Sequence, residues 1–264
     1  MRKSLALLAV IVVLVTSVMA ASAQERTLLV FAASSLTDVF EDIAAAFEAE
    51  HPGTDVIFSF ASSSDLAAQL SEGAPADVFA SANAAQMNVA REAGRIAGDP
   101  VIFARNRLVL IVPADNPAGI TRLRHLANDG VMLVIAAPDV PVRNYTDTML
   151  ERLLGYRAYG EAYREAFMAN VVSEEQNVRQ VSAKVALGEA DAGIVYVSDV
   201  TPDISDQVIA IPIPDVLNTI ATYPIAATND SANPELAQAF IDYVLSDAGQ
   251  DMLVHWNFVS VRES

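Results

Sequence analysis

The chain has 264 residues, 33 acidic against 16 basic side chains, a formal charge of −17 and no cysteine. That balance argues against a nucleic-acid partner, because phosphate contacts need clustered Lys and Arg. Without cysteine, neither disulfides nor a lipid-modified N-terminal Cys is expected.

Arg2 and Lys3 precede an apolar stretch over residues 5–20, followed by Ala21-Ser22-Ala23. A basic start, an apolar run and an A-x-A-like site predict a signal peptide over residues 1–23, cleaved before Gln24. The run is shorter than the roughly 20 residues that a spanning helix needs. A periplasmic location therefore follows, free of a membrane anchor.

Past that segment, strand-like runs alternate with helical patterns, which predicts α/β layers with sheets covered by helices. Leu28-Leu29-Val30-Phe31 reads as a strand. Leu36, Val39, Phe40, Ile43, Ala44 and Phe47 then fall at helical spacing, and His51-Pro52-Gly53 ends that helix. Residues 55–60 read as a second strand, and Leu66, Ala67 and Leu70 carry a shorter helix that stops at Gly73. Asp77-Val78-Phe79-Ala80 is a third strand. A longer extended run over 107–113 opens a second region, with a strand over 131–136 and helical patterns over about 145–154 and 156–168. Val178, Val181 and Val185 form a helical face closed by Gly188, and Ala192-Gly193-Ile194-Val195-Tyr196-Val197 is a buried-type strand. Extended segments over 209–214 and 222–228 lead to a final helix, with Asn233 as cap and Pro234 in the first turn.

Catalysis finds little support. His51, His125 and His255 lie in separate contexts without ligand-like spacing. No G-x-S-x-G, S-x-x-K or H-E-x-x-H pattern occurs. The acidic pairs Glu41-Asp42 and Glu174-Glu175 read as solvated faces. The chain is expected to be no enzyme and to need no cofactor.

Two serine clusters carry more. Ala33-Ser34-Ser35-Leu36 and Ala61-Ser62-Ser63-Ser64 occupy equivalent strand-to-helix junctions. A helix start offers unpaired N–H groups and a partial positive charge, which suits a small anion. Serine adds a neutral hydroxyl donor. Plain N-capping explains either cluster alone; the pair points to an oxyanion site. Three further segments bear on it. Pro138-Asp139-Val140-Pro141-Val142-Arg143 follows a buried strand and places N–H groups at its C-terminal end. Gln176-Asn177-Val178-Arg179 opens a helix, and Tyr196 ends a strand. Spacing alone favours packing roles for Val178 and Tyr196. Arg143 reads as facing solvent.

Phe31-Ala32-Ala33-Ser34-Ser35-Leu36, Phe60-Ala61-Ser62-Ser63-Ser64, Gly73-Ala74-Pro75-Ala76-Asp77-Val78-Phe79-Ala80-Ser81-Ala82, Asn177-Val178-Arg179 and Gly193-Ile194-Val195-Tyr196-Val197-Ser198-Asp199 together resemble the periplasmic molybdate-binding proteins of ABC importers. The resemblance implies a two-lobed, type II periplasmic-binding fold, each lobe a mixed sheet flanked by helices, with the ligand cleft between lobes. It implies molybdate or tungstate as ligand, a membrane permease as partner, and a monomer. By motif, Ser35 and Ser63 would bind the oxyanion from the first lobe. Val142 and Val178 would donate backbone N–H groups from the second, and Tyr196 its hydroxyl. All five would contact oxygens, with no direct ligand to the metal atom. The loop departs from the family's common Pro-Ala-Gly-like sequence at Pro141-Val142-Arg143. The lobes are expected to comprise residues 24–105 plus 224–264, and 106–223. The alternatives are a binding protein for another tetrahedral oxyanion such as sulfate, a secreted serine hydrolase using Ser35 or Ser63, and an exported interaction domain.

Overall fold

The computed structural model describes residues 26–262. The expected signal peptide and its cleavage site lie outside the described residues. Strand β1 (Arg26–Ala33) is buried over most of its length, as a parallel strand covered on both faces must be. It pairs in parallel with β2 (Thr54–Ala61) on one side and β3 (Val78–Ala80) on the other. Helices α1 (Thr37–Glu50), α2 (Ser63–Ser71) and α3 (Ala84–Glu92) connect and cover them. The spacing that predicted α1 buries Val39, Phe40, Ile43, Ala44 and Phe47.

Strand β4 (Val101–Pro113) then crosses the molecule. Its partner over residues 101–107 is the antiparallel β9 (Ile220–Ala227), which also closes on β3. Its C-terminal half pairs with β7 (Ala192–Tyr196) and β8 (Val208–Pro212). Beyond β7 lie β5 (Leu133–Ala136) and β6 (Val171–Glu175), all three parallel. Helices α4 (Pro141–Leu153), α5 (Glu161–Ala169) and α6 (Val178–Ala186) cover this second half, with α7 (Pro202–Ser205) a single turn before β8. The sheet order β2-β1-β3-β9-β4-β7-β5-β6 thus makes two mixed halves that share β4. This is the expected two-lobed α/β architecture.

The chain returns to its first half at the end. Helices α8 (Pro234–Leu245) and α9 (Asp247–His255) lead to β10 (Val259–Ser260), which pairs with β4 at Ala104 and Arg105. Phe240 of α8 packs edge-on against Phe40 and Phe47 of α1, with ring centroids 5.9 and 5.4 Å apart. Phe40 also meets Phe103 of β4 at 5.7 Å. Asp77 secures the same region. Its carboxylate accepts the Leu29 N–H at 2.7 Å, the Ser231 hydroxyl at 2.6 Å and the Ala232 N–H at 2.9 Å. One buried carboxylate therefore ties β1 to the approach of α8.

Several local readings are corrected. Helix α4 begins at Pro141, not near 145, because proline suits a first turn whose N–H groups lack intrahelical partners. Helix α3 escaped the pattern, although Asn83 caps it by accepting the Gln86 N–H at 2.9 Å. Strand β6 is polar enough to read as a solvated face, yet Glu175 is buried and pairs with Lys184 at 2.7 Å. Asn233 sits at the N-cap of α8, but its amide donates to the Thr27 carbonyl at 3.0 Å and does not cap.

Helix α6 lies unusually close to β7 because Gly193 has no side chain. A Cβ there would come within 2.9 Å of Val181 Cγ1 and 3.1 Å of Val185 Cγ2. Gly193→Ala is expected to destabilise the fold by about 1–3 kcal/mol through overpacking, read as a lowered urea midpoint.

Candidate functional site

A small cavity of about 10 Å³ lies between the two halves. Ser35, Ser63, Val142, Val178 and Tyr196 all line it, with Ser34, Ala82 and Pro141 among their neighbours. No lining residue is charged. That is room for about one water-sized group, far below the roughly 300–1,000 Å³ of pockets for drug-sized ligands. The space suits something small.

Ser35 stands in a short 3-10 turn, Ser34–Leu36, that leads from β1 into α1. No side chain caps that turn. The Ser35 hydroxyl is 3.0 Å from the Tyr223 hydroxyl. In the second cluster the serines divide their labour. Ser62 is the cap of α2: its oxygen accepts the Asp65 N–H at 3.2 Å, and its hydroxyl donates to Asp65 Oδ2 at 2.7 Å. Ser63 does no capping. Its oxygen accepts the Ala82 N–H at 2.9 Å, which leaves its own hydrogen free for the cavity.

The opposite wall is built from two more helix starts. Val142 is the second residue of α4 and Val178 the first of α6, so neither N–H has a partner within its helix. The Asn177 side chain caps α6 through the Gln180 N–H at 3.1 Å and leaves Val178 alone. Tyr196 ends β7 and is 1% exposed. Its hydroxyl has no hydrogen-bond partner among the described residues, the neighbouring Tyr223 hydroxyl being engaged with Ser35. Burial, then the nearby Tyr223 and Tyr145, push the Tyr196 phenol well above its ordinary value, so it remains a protonated donor. An orphaned buried hydroxyl beside two free helix starts calls for acceptors.

Charged groups stay behind this wall. Arg179 pairs with Asp38 of α1, and its Nε lies 3.2 Å from Asp199 Oδ1. One guanidinium thereby joins the two halves beside the cavity. Asn83 Nδ2 donates to Asn144 Oδ1 and Gln86 Nε2 to the Asp139 carbonyl, both at 3.1 Å, and these bonds cross the same divide. Asp199 is fully buried, and burial raises its carboxyl to about 6 despite Arg179 and the Tyr196 N–H, which both favour the anion. Arg143 does not face solvent as expected. It is 11% exposed and bonds to Asp147 at 3.0 Å, Glu174 at 2.6 Å and the Ala136 carbonyl at 3.2 Å. Among the described residues no cluster of His, Asp and Glu is arranged to hold a metal ion.

Sequence reasoning missed Tyr223, Ala82, Asp199 and Arg179 as parts of this neighbourhood. Tyr223 lies in an extended run read only as a connection, and nothing in its spacing relates it to Ser35. Asp199 and Arg179 stood inside motifs already singled out, but their pairing joins positions far apart in the chain.

Two lobes that offer helix starts to one small, uncharged cavity define a solute-binding protein. The chain belongs to the family of bacterial extracellular solute-binding proteins, which matches residues 28–259. It is 39% identical over 228 residues to the molybdate-binding protein ModA of Mycobacterium tuberculosis, covering 86% of this chain and 82% of that protein. The fold matches the periplasmic molybdate-binding protein of Azotobacter vinelandii at a TM-score of 0.75 and 21% identity, over 88% of this chain and 98% of that one. It matches the sulfate-binding protein SubI of Mycobacterium tuberculosis at 0.80 and 18% identity, over 89% and 87%. Among the described residues no helix is long and apolar enough to cross a membrane.

The raised Asp199 carboxyl sets a pH dependence of stability. The folded state holds this proton up to about 6, whereas an unfolded aspartate releases it near 3.8. The folded state therefore binds the proton more tightly, and the stability this contributes is complete below about pH 4 and lost as pH rises through 6. Asp199→Asn should flatten that slope between about pH 4 and 6 in a series of urea titrations. An unchanged slope would assign the proton elsewhere.

Proposed function

We propose that the protein captures molybdate or tungstate outside the cytoplasmic membrane and delivers it to the permease of an ABC importer. One observation carries this reading. Donors from two lobes converge on a small cavity lined only by neutral residues, and one of them, the Tyr196 hydroxyl, is buried without a partner. A fully ionised tetrahedral dianion offers only acceptors, so it satisfies every such group at once. Each charge-assisted hydrogen bond contributes roughly 1.5–3 kcal/mol, which makes a cationic side chain unnecessary in a dry cleft.

In this reading Ser35 and Ser63 donate their hydroxyls from the first lobe. Val142 and Val178 donate backbone N–H groups from the second, and Tyr196 its phenolic hydrogen. Protonated phosphate needs an acceptor in the site, and the lining contains no carboxylate. Sulfate meets the same donors. The molybdate-binding relative at 39% identity favours the larger anion. A serine hydrolase is the weaker alternative, because no histidine, lysine or carboxylate lines the cavity to activate Ser35 or Ser63.

The two lobes are residues 24–105 with 224–264, and residues 106–223, so β4 and β9 carry the hinge. Closure about these strands desolvates the anion and converts binding into a shape that the permease reads. The protein acts as a monomer in the periplasm after removal of residues 1–23, with no lipid anchor, no cofactor and no catalytic step.

Titration calorimetry with molybdate, tungstate, sulfate and phosphate tests the reading. Tight binding of the first two and little of the others is expected; identical heats for all four would refute it. Ser63→Ala should weaken molybdate binding by about tenfold or more, with apo stability changed by no more than about 1–2 kcal/mol. Ser62→Ala should do the reverse, costing about 1 kcal/mol through the lost cap while affinity changes little.

A further inference from the structure

We infer that Tyr223 is a positioning residue of the oxyanion site: its hydroxyl fixes the Ser35 hydroxyl as a donor toward the cavity. The inference rests on the binding role just proposed and extends it to a side chain that does not line the cavity. Tyr223 lies on β9, the strand paired with both β3 and β4, and is fully buried. Its ring is held edge-on by Phe258 at 5.4 Å, Tyr196 at 5.8 Å and Phe103 at 6.2 Å. The ring therefore has one place to put its hydroxyl, and that place is 3.0 Å from Ser35 Oγ.

Two hydroxyls at this distance can share a hydrogen in either sense. The ligand decides which. An acceptor-only anion in the cavity requires the Ser35 hydrogen to point at it. The Tyr223 hydrogen must then point at Ser35 Oγ. Tyr223 can play that part at any ordinary pH, because burial first of all keeps its phenol protonated well above the usual value. A chain of donors, Tyr223 to Ser35, thus runs in one direction and ends at the anion. Hydrogen bonds aligned in this way polarise and strengthen one another.

Ser63 shows the same device made from backbone. Its oxygen accepts the Ala82 N–H at 2.9 Å, so its hydrogen too is left for the cavity. Each serine has its acceptor capacity filled from behind, once by a main-chain N–H and once by a phenol. Only the phenol is open to substitution.

The test is a double-mutant cycle in molybdate affinity, with calorimetry on the full chain as wild type, Tyr223→Phe, Ser35→Ala and the pair. Phenylalanine keeps the ring contacts and removes only the hydroxyl. Tyr223→Phe should weaken binding about three- to tenfold, and the double variant should bind no more weakly than Ser35→Ala alone. Thermal melting of the apo forms separates this from a structural effect, since Tyr223→Phe should melt close to wild type. Wild-type affinity in Tyr223→Phe would overturn the inference and leave the binding role standing. Additive losses would overturn it as well, because Tyr223 would then act independently of Ser35. If the unaltered protein binds none of the oxyanions, the proposed function and this inference fall together.

Discussion

Everything about this molecule's centre depends on backbone N–H groups that a helix start cannot satisfy by itself. Such groups are costly to bury alone, and most chains cover them with a capping side chain or water. Here the caps are placed selectively. Ser62 and Asn177 cap α2 and α6 through the third position, and the N–H groups nearest the cavity stay free. The cavity is therefore a place where the protein has left hydrogen bonds unmade, with the Tyr196 hydroxyl orphaned among them. In the proposed function, a small acceptor-rich solute completes what the fold leaves open.

This arrangement also reconciles the proposed anion site with a chain of formal charge −17. Exposed carboxylates more than about 8 Å away are largely screened at physiological salt. Buried carboxylates are tied to other partners: Asp77, away from the cavity, takes donors from β1 and the approach to α8, and Asp199 faces Arg179. Arg179, although next to Val178 in sequence, is spent on Asp38 and Asp199 and not on the cavity. Neutral donors fill the site, and charge is used to hold the two lobes against each other beside it.

Much of the fold was legible because its signals are local. The 3.6-residue spacing of Leu36 to Phe47, the terminator His51-Pro52-Gly53 and the apolar runs of β1, β5 and β7 each need only a short window. Elements failed where the local signal was weak or contradictory. Strand β6 carries Ser173-Glu174-Glu175: Glu174 is exposed and meets Arg143, and the burial of Glu175 makes sense only once Lys184 stands beside it. Helix α3 has a clear cap but a mixed face, and α4 starts earlier than its apolar period because Pro141, not a hydrophobe, sets its first turn.

The candidate site divides along the same line. The two serine clusters stood out from sequence alone, since a serine between a strand and a helix already implies a donor at a helix start. Spacing favoured core roles for Val178 and Tyr196, and they are indeed buried. What no spacing expresses is that a buried residue can still turn one polar atom into a cavity. Ser34, Ser35, Ser62 and Ser63 all line the cavity, and only the structure shows that Ser63 meets Ala82 and Ser35 meets Tyr223, residues brought up by β3 and β9. By itself, then, the sequence determined the elements, their alternation and the donor chemistry at their junctions, because these follow from interactions a few residues apart. Tertiary structure alone decided which donors meet and which remain free, because those outcomes depend on contacts between distant segments, such as Ser35 with Tyr223, 188 residues apart in the chain.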